Sequence, residues 1–380
     1  LEVDFFRGVV LIVIVLDHIA GSVLSHLMLH AYAYCDAAEV FVFLGGYATA
    51  AAYTAIAVRA TPAAAARRFL IRAWEIYRAY LLTALLIACF GLTVLALHIA
   101  SPTLAYTAAP KLLTHPLQTV LDVVTLRDQP YLSSVLPMYM SFALAAPLTV
   151  PLTQRAPLAA LVASLAIWLC AVPLAQMLPS ADAQGWGFNP FAWQLMFMFG
   201  MLCRLHPLTP AFQVSKFGRR LTYVACAIAI SCAAIKLFLE TVPEAGHYKQ
   251  NLAGFRVLSF LALAWLAGQA VRAGWIGRMA RALPQVVTVG RHGLACFVSG
   301  AMISMTADTF LRVIAPGSSG ALTTRSTLEF AEGLGVDLSA IALMLCAAAW
   351  FAERKRAAGV RSKQQAASAP AHAYAASKRS

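Results

Sequence analysis

The sequence predicts an all-α, polytopic integral-membrane bundle of about ten transmembrane helices, with both termini in the cytoplasm. Three observations carry that prediction. Hydrophobic residues make up 61% and charged residues 12% of the 380 positions, against roughly 45–50% and 25% in soluble globular chains. The apolar residues gather in ten runs whose lengths approach the roughly 20 residues that cross a bilayer core. Most of the cations lie between those runs or in the last thirty residues, concentrated in alternate connections, as charges retained on the cytoplasmic side are. A soluble enzyme with a single anchor is excluded.

The runs cover residues 8–24, 39–58, 74–97, 131–150, 158–174, 189–203, 221–239, 252–271, 286–307 and 338–352. If the even-numbered connections face the cytoplasm, they hold Arg59, Arg67, Arg68 and Arg72, then Arg155, then Lys216, Arg219 and Arg220, then Arg272, Arg278 and Arg281. The opposite connections carry fewer cations, chiefly Lys111, Arg127, Lys249, Arg312 and Arg325. Residues 1–353 therefore form one membrane domain. Residues 354–380 are a basic, Ala/Ser-rich cytoplasmic tail that cannot bury a core and is expected to lack structure. The first residue is not Met, so a short preceding piece is expected, and a cleavable signal is not. Between the third and fourth runs, residues 112–126 suggest a helix lying on the outer interface. The loop 179–190, rich in Gly, Pro and Asn around Trp186, suggests an ordered turn.

The net charge of +13 would suit nucleic acid if it were clustered, but its spread over loops and tail fits topology better. Eight cysteines are scattered with no CxxC pair and no His at ligand spacing, so no metal site is expected. Chemistry is then carried by the few ionisable groups inside apolar runs, where each is costly without a partner or a cavity. The first run holds the best of them. Arg7 precedes it, and His18 follows eleven residues later, almost three full turns and about 16 Å along the same helical face. Asp17 lies about 100° around from His18. Glu39 opens the second run, where an antiparallel hairpin would bring its carboxylate towards His18 to raise its basicity and fix its tautomer. Taken singly, Arg7 is an interfacial anchor, Glu39 a helix cap and His18 a satisfied core histidine. Together they read as a site. Asp308 receives no role.

These residues also carry a family resemblance. The segments EVDFFRGVVLIVIVLDHIAG and DAAEVFVFLGGYA resemble the D-x-x-RG…DH and AE-x-F-x-F-x-SGY pattern of the OpgC family, membrane proteins linked to succinylation of osmoregulated periplasmic glucans. WEIY, LPMYM, FNPFAWQLMFMFG and GRHGLACF extend the similarity to about residue 351. Arg7 and His18 are similar to an Arg–His pair on the first helix of the wider membrane sugar O-acyltransferases. One departure is Gly45, where the pattern has Ser.

The resemblance implies a bacterial inner-membrane enzyme that transfers an acyl group, succinyl above all, from cytoplasmic acyl-CoA to a hydroxyl of a periplasmic glucan. His18 is then the general base, with Asp17 and Glu39 beside it. Arg7, Arg67, Arg68, Arg72 and Arg291 would meet the CoA phosphates. Trp186, Trp193, Tyr139, Asn189 and Gln194 would offer stacking faces and hydrogen bonds to the sugar. Arg256 would meet an acceptor or a succinyl carboxylate, or pair with Glu240 or Glu244. Other glucan-biosynthesis proteins are possible partners. The competing reading is a proton-coupled transporter or flippase of a sugar-linked substrate, with Asp17, His18 and Glu39 as a relay; the lack of matching Gly/Pro-broken helices counts against it. A third is a membrane assembly partner without chemistry.

Overall fold

In the computed structural model, residues 1–99, 101, 104, 107–182, 185–240, 245–314 and 326–368 are described, the last ten as backbone only. Among them there is helix and no strand. The helices run in order as α1 (Glu2–Asp17), α2 (Ala37–Arg59), α3 (Pro62–Ala96), α4 (Ala109–Thr114), α5 (Pro116–Val124), α6 (Val135–Arg155), α7 (Pro157–Leu169), α8 (Ala171–Ala175) and α9 (Pro190–Leu205). After them come α10 (Pro210–Val214), α11 (Lys216–Ala234), α12 (Gly246–Gln250), α13 (Gly254–Arg272), α14 (Trp275–Ala282), α15 (Pro284–Arg291), α16 (Gly293–Ile314) and α17 (Thr327–Ser368).

Local chemistry sets many of these starts. Asp36 accepts from Ala38 N–H while Glu39 reaches back to accept from Asp36 N–H, a reciprocal cap that opens α2. Thr61 before Pro62 opens α3, and Asn189 before Pro190 opens α9. Pro157 and Pro284, at the first position of their helices, divide α6 from α7 and α14 from α15.

Each of the ten apolar runs falls on helix, but the described residues contain seven helices long and apolar enough to cross a membrane. The three others are shorter. α1 and α9 have 16 residues and α7 has 13, which at about 1.5 Å per residue is less than a bilayer core. α1 stops at Asp17, where the first run was expected to continue to residue 24. The run 158–174 breaks at Cys170 between α7 and α8, and the run 286–307 breaks at His292 between α15 and α16. Hydropathy alone cannot register such breaks, because apolar residues fill both sides of them. The chain is multi-pass all the same.

The suggested interface helix is two pieces, α4 and α5, divided by His115–Pro116. α5 turns Leu117, Val120, Leu121 and Val124 outward and buries Thr119 and Asp122, the inverse of a water-soluble helix and the arrangement lipid requires. α17 continues to Ser368, into the tail expected to lack structure, because Ala, Arg, Lys and Gln all favour helix. Residues 369–380, Arg325 and Glu244 lie outside the described residues.

Two helix pairs approach so closely that only glycine fits. A Cβ on Gly46 would strike the Phe197 carbonyl, and one on Gly200 the Phe43 carbonyl, locking α2 to α9. Gly8 against the Val286 carbonyl and Gly290 against the Asp4 carbonyl lock α1 to α15 in the same way. Small residues are the usual means of close helix contact where lipid removes the hydrophobic drive. Gly200→Ala should lower stability by about 1–3 kcal/mol or more, since the obstacle is backbone and cannot rotate away. Thermal unfolding of purified protein in detergent checks this, with Gly268→Ala, which meets nothing within 4 Å, as the neutral control.

Candidate active site

His18 follows the last residue of α1, where helix carbonyls run out of intrahelical donors. Its Nδ1 lies 2.6 Å from the Ile14 carbonyl oxygen. A carbonyl only accepts, so Nδ1 carries the proton and donates it, leaving Nε2 with its lone pair. The ring meets Tyr131 edge-on at 5.5 Å. It lines a cavity of about 380 Å³ that Asp17, His30, Tyr34, Ser134, Phe188 and Phe297 also border. Asp17 sits 3.4 Å from His30 Nδ1.

Glu39 does not supply the tautomer lock expected of it; the Ile14 carbonyl does. Glu39 is fully buried and belongs to another arrangement. Arg256 donates through Nε to Glu39 Oε1 at 2.7 Å and through Nη2 to Asp36 Oδ2 at 3.2 Å. Lys249 adds a 2.6 Å contact to Asp36. This cluster forms one wall of the His18 cavity, which Asp36, Lys249 and Arg256 line. Arg256 thus pairs with the opening of α2, and Glu240 pairs instead with Lys236 at 3.6 Å. Burial alone would push the Asp36 carboxyl up, but Lys249 and Arg256 outweigh it and hold it below the usual carboxylate range. Lys249 moves the other way, above the usual ammonium range, because Asp36 and Glu39 outweigh the burial that would lower it. The pair therefore stays ionised across the neutral range. Cys35, on the same wall, is pushed up to about 12 by burial and by Glu39; it stays a thiol and is no nucleophile.

At the opposite end of α1 a second cavity, of about 500 Å³, is lined by Arg7, Arg291, His292, Lys355, Arg356 and Asp4. Arg291 contacts Asp4 at 3.3 Å. Among the described residues Arg7 makes no ion pair, and its Nη2 lies against Gly293, where an added Cβ would come within 3.1 Å. Asp4, the carboxylate that attracts it, is in contact with Arg291, so the cluster keeps cationic charge that an anion could meet. Leu11, one helical turn above Arg7, already lines the outer cavity, so a single turn, about 6 Å, divides the two. Arg67 is exposed, and Arg68 and Arg72 are engaged by Glu75 at 3.1 and 3.0 Å. The residues lining the inner cavity do not include these three.

None of the five residues expected to bind sugar is among those that line the His18 cavity, and Tyr139 is close enough to Arg7 to feel its charge. Trp186 donates to the Pro179 carbonyl, Trp193 to the Lys249 and Gln250 carbonyls, Asn189 to the Ala171 carbonyl and Asn251, and Gln194 to the Ser164 carbonyl. Trp186 braces the loop before α9 and the other three tie α9 to α7, α8 and α12, and their polar groups are occupied. Tyr139 differs: its hydroxyl is buried without a hydrogen-bond partner, and its ring fills the space beside Gly45, where a Cβ would come within 2.7 Å of Cε1. The residue that departs from the family pattern and the tyrosine that covers it are therefore one feature. Sequence reasoning missed His30, Asp36 and Lys249 as cavity residues. The Asp36–Glu39 spacing of a capping box was a readable signal; the approach of Lys249 to Asp36 from 213 residues away was not.

The family model described as OpgC protein matches residues 1–356. This chain belongs to the OpgC family. No curated protein and no solved structure matches it. Membership in the OpgC family implies a membrane acyltransferase acting on glucans.

Removing Arg256 would leave Glu39 and Asp36 facing each other in a buried site. Arg256→Ala should destabilise by about 3–5 kcal/mol, and the double change Glu39→Gln with Arg256→Met should recover much of it. Unfolding midpoints of the three proteins in one detergent decide this.

Proposed function

We propose that the protein is an inner-membrane O-acyltransferase, both termini cytoplasmic, that moves a succinyl group from cytoplasmic succinyl-CoA to a hydroxyl of a periplasmic glucan. The observation that carries the proposal is that one short helix presents an unpaired arginine to a cationic cavity at one end and an imidazole with a free Nε2 to a second cavity at the other. CoA is the donor substrate, and no metal takes part.

The CoA phosphates sit at Arg7 and Arg291, with Lys355 and Arg356 adding charge from α17. The pantetheine arm crosses the single turn between the cavities and brings the thioester to His18. A glucan hydroxyl enters from outside, with Tyr131, Tyr34 and Phe188 as faces for the sugar rings. His18 Nε2 takes the hydroxyl proton as the oxygen attacks the thioester carbonyl. The tetrahedral carbon then expels the thiolate, the C–S bond breaks, and the imidazolium returns its proton to sulfur. The products are the sugar ester and free CoA. The buried Tyr139 hydroxyl is a donor without an acceptor and suits the thioester path. Asp17 with His30 supports the electrostatics of the base. Asn189, Trp186, Trp193 and Gln194 serve the acceptor indirectly, through the helices and the loop they hold to α9.

His18→Ala should lower succinyl transfer by at least about 100-fold at unchanged accumulation. Mass spectrometry of periplasmic glucans, scored for the mass of one succinyl unit, reads the result; undiminished succinylation removes His18 from the mechanism. Arg7→Ala should instead raise KM for succinyl-CoA by about ten- to a hundredfold, the loss of one or two charge-assisted bonds, in steady-state assays of CoA release.

A further inference from the structure

The chain leaves α1 at Asp17 and regains helical turn only at Leu24, so residues 18–23 have no regular ladder, and Ile19, Gly21, Ser22 and Val23 are buried. Away from water each of their N–H groups needs an acceptor. His18, Ile19 and Ser22 find theirs nearby, on the Val15, Leu16 and Ile19 carbonyls. Ala20, Val23 and Leu24 find theirs on two distant carboxylates. Ala20 N–H donates to Asp308 Oδ1 at 2.9 Å, and Val23 and Leu24 N–H both donate to Asp337 Oδ2 at 2.8 Å. Asp308 comes from α16 and Asp337 from α17, and they are 3% and 0% exposed. Arg312, four residues on, steadies Asp308 at 3.0 Å.

A buried carboxylate is an expensive way to satisfy a backbone amide, since a serine or threonine hydroxyl would also accept. Its advantage is rigidity. Bonds to an ionised acceptor are about twice as strong as neutral ones, and one oxygen holding two successive amides fixes both peptide planes. The segment held in this way begins at His18.

We propose that Asp308 and Asp337 are positioning residues for His18, holding the turn that follows it so that Nε2 faces the outer cavity. The inference rests on the role of His18 as base given above. A displacement of about 1 Å in a reacting group costs on the order of 100-fold in rate. Asp337→Ala should therefore lower kcat by about 100-fold while KM for succinyl-CoA, set at the other end of α1, changes less than about twofold. Asp337→Asn keeps an oxygen that can accept both amides and should recover to within about tenfold of the parent; a role in charge alone would leave it as poor as Ala. Asp308→Ala, which releases one amide, should lower kcat by about tenfold and serves as the test if Asp337→Ala does not accumulate.

The deciding experiment combines these kinetics with amide deuterium exchange on the full chain in detergent. Residues 20, 23 and 24 should exchange slowly in the parent and in Asp337→Asn, and residues 23 and 24 rapidly in Asp337→Ala. Full kcat in Asp337→Ala or in Asp308→Ala, or unchanged slow exchange in the Ala variants, overturns the proposal. The exchange arm needs no turnover, so failure of the anchoring is read separately from failure of the acyl-transfer reading, which His18→Ala tests.

Discussion

The proton on His18 Nδ1 has one acceptor, the Ile14 carbonyl 2.6 Å away, and the rest of the site depends on that bond. It consumes one of the carbonyls that a helix leaves bare at its C-terminus. In the same stroke it commits the other ring nitrogen to be a base. The bond requires α1 to end where it does, one residue before the histidine. That ending requires acceptors for the amides that follow, and Asp308 and Asp337 provide them. A helix long enough to satisfy a hydropathy scan would have carried His18 past its own carbonyl and back into a ladder.

Around this end of α1 the bundle separates two electrostatic tasks. The outer wall is neutralised internally, with Arg256 and Lys249 set against Asp36 and Glu39, so it shapes the cavity without competing for the proton. The inner cavity is left with an excess of cations, Asp4 being the one carboxylate among the residues that line it. The close glycine contacts between α1 and α15 keep the two ends in fixed relation, because α15 carries Arg291 and borders His292 at the inner cavity. A single helical turn of packed side chains lies between.

Much of this was legible in the sequence, for identifiable reasons. The all-helical membrane class followed from composition, and the ten runs all found helix, since apolar length is a strong signal. The family was carried by two short blocks around Arg7, His18 and Glu39, and the match over residues 1–356 agrees with them. What failed to show was whatever depends on breaks and long-range pairing. A break at Cys170 divides a run that read as continuous and leaves α7 short, a break at His292 separates α15 from α16, and α1 ends at Asp17 before its apolar run does. Glu39 looked like a partner for His18 because both begin or end adjacent helices; Arg256, 217 residues on, holds it instead. Asp308 looked idle because its partner is a backbone amide 288 residues earlier, and no side-chain pattern reports such a bond. Lys355 and Arg356 line the cavity at Arg7, while of the α3 arginines to which the sequence pointed Arg72 is near enough to act on Arg7 by charge.

The central claim is that His18 waits with its proton on Nδ1 and a lone pair on Nε2. Nitrogen-15 NMR of histidine-labelled protein, with the His18 signals assigned by their absence from His18→Gln, measures this directly. The account predicts a neutral ring whose protonated nitrogen is Nδ1, hydrogen-bonded, and whose Nε2 shift is that of an unprotonated nitrogen. A ring protonated at Nε2 would contradict it, since that nitrogen could not then accept a proton from a sugar.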